Sequence, residues 1–241
     1  MPDLPDDYPF LPNSVRFPLV DLGELAARLG SPVVYDRRGE VLLVDDFHYG
    51  IGGYDQQALG TGAAVDLVND ITDAGPFAVK LTAGSDGSRR AELNHYQTPL
   101  AAARYGFEVS FYLDSDGEEF ELVAFFWDGS VQQQARIRYL FTGGQWSYYK
   151  QGGGYTNISL PSLFIGSTPR FHWAKLVVDF SEGKYVRFLL DDGVYGFINV
   201  DLRTQASALD PGMAFGFQFK GDAGENDTIR VGRFIITANE P

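Results

Sequence analysis

The run Trp146-Ser-Tyr-Tyr-Lys-Gln-Gly-Gly-Gly-Tyr-Thr-Asn157 holds the residues with the clearest capacity for recognition chemistry: Trp146, Tyr148, Tyr149, Tyr155 and Asn157. Flat rings take the apolar face of a sugar, an amide at the rim fixes its hydroxyls, and glycines between them permit close approach. Trp127, followed by Gln132, Gln133 and Gln134, is a candidate neighbour of this cluster. The same rings could equally fill a core or a subunit contact.

Two acidic runs suit a hard cation. Asp114-Ser-Asp-Gly-Glu-Glu119 brings Asp114 and Asp116 into one turn with two glutamates, and Asp222-Ala-Gly-Glu-Asn-Asp227 precedes a strand pattern. Carboxylate and amide oxygens of this kind are Ca²⁺ ligands, although neither run has the full EF-hand spacing. The three histidines, His48, His95 and His172, lack metal-ligand spacing. Neither a Gly-x-Ser-x-Gly elbow nor a phosphate-binding Walker loop is present, so serine hydrolysis and nucleotide chemistry have no support. The chain has no cysteine, which removes disulfides, thiolate zinc sites and thiol nucleophiles.

These residues must be carried by strands. Of 241 residues 44% are hydrophobic and 15% aromatic, enough to fill a substantial core. The formal charge of −13 opposes binding to nucleic acid phosphate and to anionic membrane surfaces. No apolar run approaches the roughly 20 residues of a membrane-spanning helix, and the first residues have neither the basic nor the apolar region of a signal peptide. A soluble protein is expected, compatible with an extracellular, cell-surface or virion setting.

Residues 1–18 contain Pro2, Pro5, Pro9, Pro12 and Pro18 among Tyr8, Phe10 and Phe17, which predicts an extended arm that packs on its own domain or clasps a neighbouring subunit. Residues 21–30 predict one short helix, with Asp21 as cap, Leu22, Leu25, Ala26 and Leu29 on one face, and Gly30-Ser-Pro32 as stop. From Val33 onward the apolar pattern has period two, broken by Asp116-Gly117, Asp128-Gly129, Gly143-Gly144, Pro211-Gly212 and Gly221-Asp222. Met213, Phe215, Phe217 and Phe219 fall on one side of their strand, opposite Ala214, Gly216, Gln218 and Lys220. Many such strands with little helix predict two antiparallel sheets packed face to face, in a single domain over residues 19–241.

Three segments carry a family resemblance. Trp173-Ala-Lys-Leu-Val-Val-Asp-Phe-Ser-Glu-Gly-Lys-Tyr-Val-Arg-Phe-Leu-Leu-Asp-Asp-Gly193 reads as a hairpin, Val44-Asp-Asp-Phe47 as an opening strand and Asp227-Thr-Ile-Arg-Val-Gly232 as a closing one. In this order they resemble the concanavalin A-like lectin/glucanase jelly rolls, which include laminin-G-like domains, carbohydrate-binding modules and glycan-cleaving enzymes. The resemblance implies an all-β jelly-roll sandwich and a structural Ca²⁺ at Asp46 and Asp227.

Its enzymatic implications match only in fragments. Glucanases of the superfamily carry a Glu-x-Asp-x-x-Glu strand; here Glu119 and Glu121 share a face but Ala124 stands in the third position. Alginate-lyase-like members use Arg-x-Glu-Leu, Gln-x-His and a Tyr-rich strand. Arg90-Ala-Glu92-Leu93 and Tyr148-Tyr-Lys150 match in part, but no Gln-x-His occurs. A cleaving enzyme would need a groove converging on Arg90, Glu92, His95 and Tyr148. The expected function is therefore non-catalytic carbohydrate recognition. The alternatives are an assembly protein that forms homo-oligomers through its arm, and a polysaccharide lyase or glycoside hydrolase.

Overall fold

The structure, a computed structural model, describes residues 39–73, 75–98, 101–163, 170–191 and 193–241. The expected arm of residues 1–18 and helix of residues 21–30 lie outside them. Among the described residues there is no helix, and sixteen strands follow in chain order. They are β1 Glu40–Asp45, β2 Asp55–Leu59, β3 Ala64–Val68, β4 Ala78–Thr82, β5 Arg90–Gln97, β6 Arg104–Leu113, β7 Glu119–Trp127 and β8 Val131–Leu140. The rest are β9 Gln145–Tyr149, β10 Tyr155–Ile158, β11 His172–Asp179, β12 Lys184–Leu190, β13 Gly193–Gly196, β14 Arg203–Ala206, β15 Gly212–Lys220 and β16 Thr228–Ala238.

They form two antiparallel eight-stranded sheets. The first has the order β13-β12-β11-β6-β16-β4-β3, with β1 also on β16; the second has the order β10-β9-β8-β7-β15-β5-β2, with β14 also on β8. Neighbours in space are distant in sequence, as when β15 inserts between β5 and β7. The expected sandwich is therefore present.

Period two decides what each strand buries. Phe107, Val109 and Phe111 of β6 face Phe215 and Phe217 of β15 across the sandwich, with ring centres 5.7 Å apart for Phe107–Phe215 and 5.6 Å for Phe111–Phe217. Phe120 stacks on Phe217 at 5.3 Å. Each ring removed from water is worth about 1.5–3 kcal/mol, so this aromatic seam is the main adhesive between the sheets. The hairpin of β11 and β12 turns at Ser181–Gly183, where Asp179 Oδ1 accepts from the Ser181 and Glu182 amides at 3.0 Å and Gly183 takes φ 65°.

Three strands escape the sequence pattern. Residues Asp55–Leu59 are exposed throughout, so no alternation marks them; they form the edge strand β2 along β5. The short strands β10 and β14 are likewise set by their partners β9 and β8. The outward side of β6 is buried: Glu108 and Ser110 are under 4% exposed. Alongside it Lys175 and Glu240, both buried, form an ion pair at 2.7 Å.

Candidate functional site

The outward face of the second sheet carries the polar chemistry. Strand registers align Gln57, Glu92, Gln218, Glu121, Arg138, Ser147 and Asn157 in one rung across β2, β5, β15, β7, β8, β9 and β10. At roughly 4.8 Å per strand this polar rung runs on the order of 30 Å. The adjoining rung holds Asp55, Asn94, Gly216, Val123 and Arg136, and the next Tyr96, Ala214, Phe125, Gln134 and Arg203. Alternation forces this arrangement, because the intervening Leu93, Phe217, Leu122 and Ile137 point into the core.

A merely solvated face would leave such side chains in water, yet Glu92, Asn94, Glu121, Gln134, Ser147 and Gln218 are all buried. They are recessed beneath longer neighbours and bonded to one another. Gln218 Nε2 donates to Glu92 Oε2 at 3.2 Å, Asn94 Nδ2 to the same oxygen at 3.4 Å, and Arg90 pairs with Glu92 Oε1 at 3.1 Å. Glu121 Oε2 accepts from Arg136 Nη1 at 3.1 Å, while its Oε1 accepts from the Tyr155 hydroxyl. Arg138 donates to Glu119 Oε2 and to Ser147 Oγ, each at 3.3 Å.

Aromatic rings support the guanidinium groups. Arg138 lies 3.6 Å from the centre of Tyr155, Arg136 5.6 Å from Tyr149, and Arg203 5.1 Å from Tyr149, whose hydroxyl accepts from Arg203. Cation–π contact of this kind holds planar donors in place without quenching their hydrogen bonding. Burial, then the charge of Glu121, pushes the Tyr155 phenol well above the ordinary tyrosine range, so Tyr155 is a proton donor on this face. Burial and then Glu121 also raise Glu119. For Arg136 burial opposes the charge, but Glu121 outweighs it and the net shift is upward.

Two buried atoms remain unpartnered here: the carbonyl oxygen of Gln218 and the Nε–H of Arg136. They lie on adjoining rungs, two strands apart, on β15 and β8.

The structure divides the residues named from sequence. Tyr149, Tyr155 and Asn157 belong to this face, the two rings packing 5.0 Å apart. Trp127 lies toward one end of it, nearly parallel to Phe125 at 5.8 Å. Trp146 does not belong: it is 0% exposed in the core, 5.2 Å from Phe188, and its indole N–H donates to the Pro161 carbonyl at 3.0 Å. Tyr148 also points inward, against Tyr185 and Phe197. Residues 146 and 148 alternate with 147 and 149, and an apolar two-layer core claims the former pair. The proposed convergence of Arg90, Glu92, His95 and Tyr148 fails for the same reason. His95 sits inward, 5.5 Å from Tyr54, where burial lowers its pKa against the opposing influence of Asp45.

The Ca²⁺ positions do not assemble. β1 pairs Asp45 with Phe234, seven residues from Asp227, so Asp46 and Asp227 stand roughly 20 Å apart along β16. Asp227 is engaged by the Ser115 hydroxyl at 3.1 Å and the Asp222 amide at 2.8 Å, Asp114 pairs with Arg230, and Asp116 is exposed in its turn. Asp46 Oδ1 accepts from the His48 amide at 3.1 Å. Among the described residues no three His, Cys, Asp or Glu side chains come together as a metal site, so the donor set does not fit the ion.

Sequence reasoning named Glu92, Glu119 and Glu121 but not Asn94, Arg136, Arg138 or Arg203 as site residues. Their signal was present in the outward half of each alternating strand. What alternation alone lacks is the register that lines up those halves.

No protein-family model and no curated protein matches the chain. Solved structures do. An endo-β-1,4-glucuronan lyase from the fungus Trichoderma reesei superposes with a TM-score of 0.57 at 13% identity, over 83% of this chain and 96% of that one. A carbohydrate esterase from the Shiga toxin-encoding bacteriophage phi24B gives 0.52 at 12% identity, over 84% and 100%. The exoplasmic/lumenal domain of VIP36, in a form bound to Ca²⁺ and Man3GlcNAc, gives 0.48 at 13%, over 83% and 91%. At such identities the likeness is one of fold. The sheet order and antiparallel pairing, with the lyase and esterase superpositions, make the fold a two-sheet antiparallel jelly-roll sandwich.

Proposed function

We propose that the outward face of the second sheet binds a glycan chain laid across the polar rungs. One observation carries this reading: a recessed, internally bonded polar floor spans seven strands, yet keeps a buried acceptor on Gln218 and a buried donor on Arg136 without partners. Unpaired buried polar atoms cost stability, so such a floor is best explained by a ligand that completes it. Tyr149 and Tyr155 supply rings beside the floor for the apolar side of a sugar. The fold fits carbohydrate binding, since the lyase and the esterase that superpose on it are a glucuronan lyase and a carbohydrate esterase.

The arrangement favours recognition over cleavage. Both oxygens of Glu121 and both of Glu92 already accept hydrogen bonds, and the phenol of Tyr155 is a donor, so these groups are engaged with one another and not with a reacting centre. One observation supports cleavage as a second reading. The raised pKa of Glu119 makes it a carboxyl able to hold a proton, on the same strand face as Glu121.

The test is a screen of the protein against immobilised neutral and uronate polysaccharides, with Arg138→Ala and Gln218→Ala in parallel. Retention on one polymer, reduced about ten-fold or more in both variants, is the expected result. Failure to bind any polymer, or unchanged binding by both variants, removes the proposal. Release of shortened chains that stops in Glu119→Gln would establish the second reading instead.

A further inference from the structure

Toward one end of the same face the small outward residues of β15, Gly212 and Ala214, lie between Tyr96 of β5 and Phe125 and Trp127 of β7. Small side chains on a central strand flanked by rings leave a trough. It opens into a cavity of about 440 Å³ whose lining includes Tyr96, Gln97, Trp127, Leu209, Asp210 and Gly212. This volume is in the range of small-ligand sites.

Three features describe what fits. Tyr96 is 57% exposed and nearly parallel to Trp127, the planes 15° apart, so it offers a flat apolar face to solvent. Trp127 is only 8% exposed, yet its indole N–H has no hydrogen-bond partner. Asp210 lines the same cavity. A purely apolar ligand would leave the indole N–H unpaired. A ring with one apolar face and several hydroxyls suits both the aromatic plane and the donor, because a hydroxyl can accept.

We propose that this cavity holds the terminal pyranose of the glycan whose chain lies on the polar rungs. The inference rests on the reading of that face given above. Trp127 is six residues beyond Glu121 on β7, so the cavity stands roughly 20 Å from the central rung and is reached by an oligosaccharide of several units.

The chain has three tryptophans, and hence three indole N–H resonances, of which that of Trp127 is assigned by its loss in Trp127→Phe. Hexasaccharides of β-1,4-glucuronan, cellulose, mannan and chitin are the probes, added to ¹⁵N-labelled full-length protein. At least one is expected to shift both the Ser147 and Arg138 amides and the Trp127 indole while leaving the core Trp146 still. Tyr96→Ala, a change at an exposed ring, should weaken that probe about ten-fold without moving Tm. A probe that shifts the floor amides but not the Trp127 indole, and binds Tyr96→Ala as well as wild type, overturns the cavity inference and leaves the face reading standing. A shift confined to Trp127 overturns it too, by placing the whole ligand in the cavity. No shift anywhere with any probe defeats the face reading, and the terminal subsite with it.

Discussion

The guanidinium of Arg138 lies 3.6 Å from the centre of the Tyr155 ring, whose hydroxyl donates to Glu121. One ring is thereby gripped on its face by a cation and at its tip by a carboxylate. Such a side chain has little rotamer freedom left to lose when a ligand arrives, which is how a site keeps its binding cost low.

Replacing Glu121 by Gln removes the charge that helps hold the Tyr155 phenol protonated and that pairs with Arg136. The phenol of Tyr155 should titrate at lower pH than in wild type, followed by the tyrosinate absorbance. Denaturant unfolding should show a loss of about 1–3 kcal/mol, because the Arg136 donor loses its charged partner. An unmoved phenol would mean that burial alone sets it.

Glu119 imposes a pH dependence of definite sign. Its folded pKa is raised, by burial first and Glu121 second, so the folded protein keeps a proton that the unfolded chain has released. Stability contributed by this group is therefore greatest at acid pH and falls as pH climbs from the ordinary glutamate value through the raised one. Glu119→Gln cannot titrate, and the Tm of the variant minus that of wild type should increase with pH across this window. A difference that is flat, or that declines, contradicts the assignment.

Gly216 lies at the middle of the floor, where an added Cβ would come within 1.9 Å of Asn94 Oδ1 and 3.0 Å of Val123 Cγ2. Gly216→Ala must displace the buried Asn94 and with it the bond to Glu92. Overpacking of this sort costs about 1–3 kcal/mol. Glycan affinity should drop about ten-fold in a protein that still melts cooperatively, read by calorimetric titration and a thermal scan.

Trp146→Ala should cost about 3–5 kcal/mol in denaturant unfolding, the usual loss for emptying a core aromatic site. The glycan affinity of the protein that remains folded should be close to wild type. A variant that stays stable and loses binding would return Trp146 to the surface role its sequence neighbourhood suggests.

That tryptophan marks the boundary of what sequence makes legible. The alternation of Met213, Phe215, Phe217 and Phe219 identifies a core strand, and the Trp173 hairpin is legible as two strands and a turn, because both are local patterns. The composition of the Trp146–Asn157 run suggests a platform of rings, but parity within β9 sends Trp146 and Tyr148 to the core and leaves Tyr149 outside. Glu92 and Glu121 are 29 positions apart and share a rung only because β15 inserts Gln218 between them. Asp55–Leu59 shows the opposite limit: a strand with no buried residue has no hydrophobic period to read.

The insertion of β15 between β5 and β7 has a further effect, on folding fidelity. Suppose β15 slid by one residue against its neighbours: Phe217 would turn outward beside Glu92 and Glu121, and Gln218 would enter the aromatic seam with Phe111 and Phe120. Both errors are penalised, one by exposed ring surface and the other by a buried amide without partners. The face proposed to meet a glycan therefore also proofreads the pairing of the strands that build it, so substitutions there that trade polar for apolar residues would blur the register.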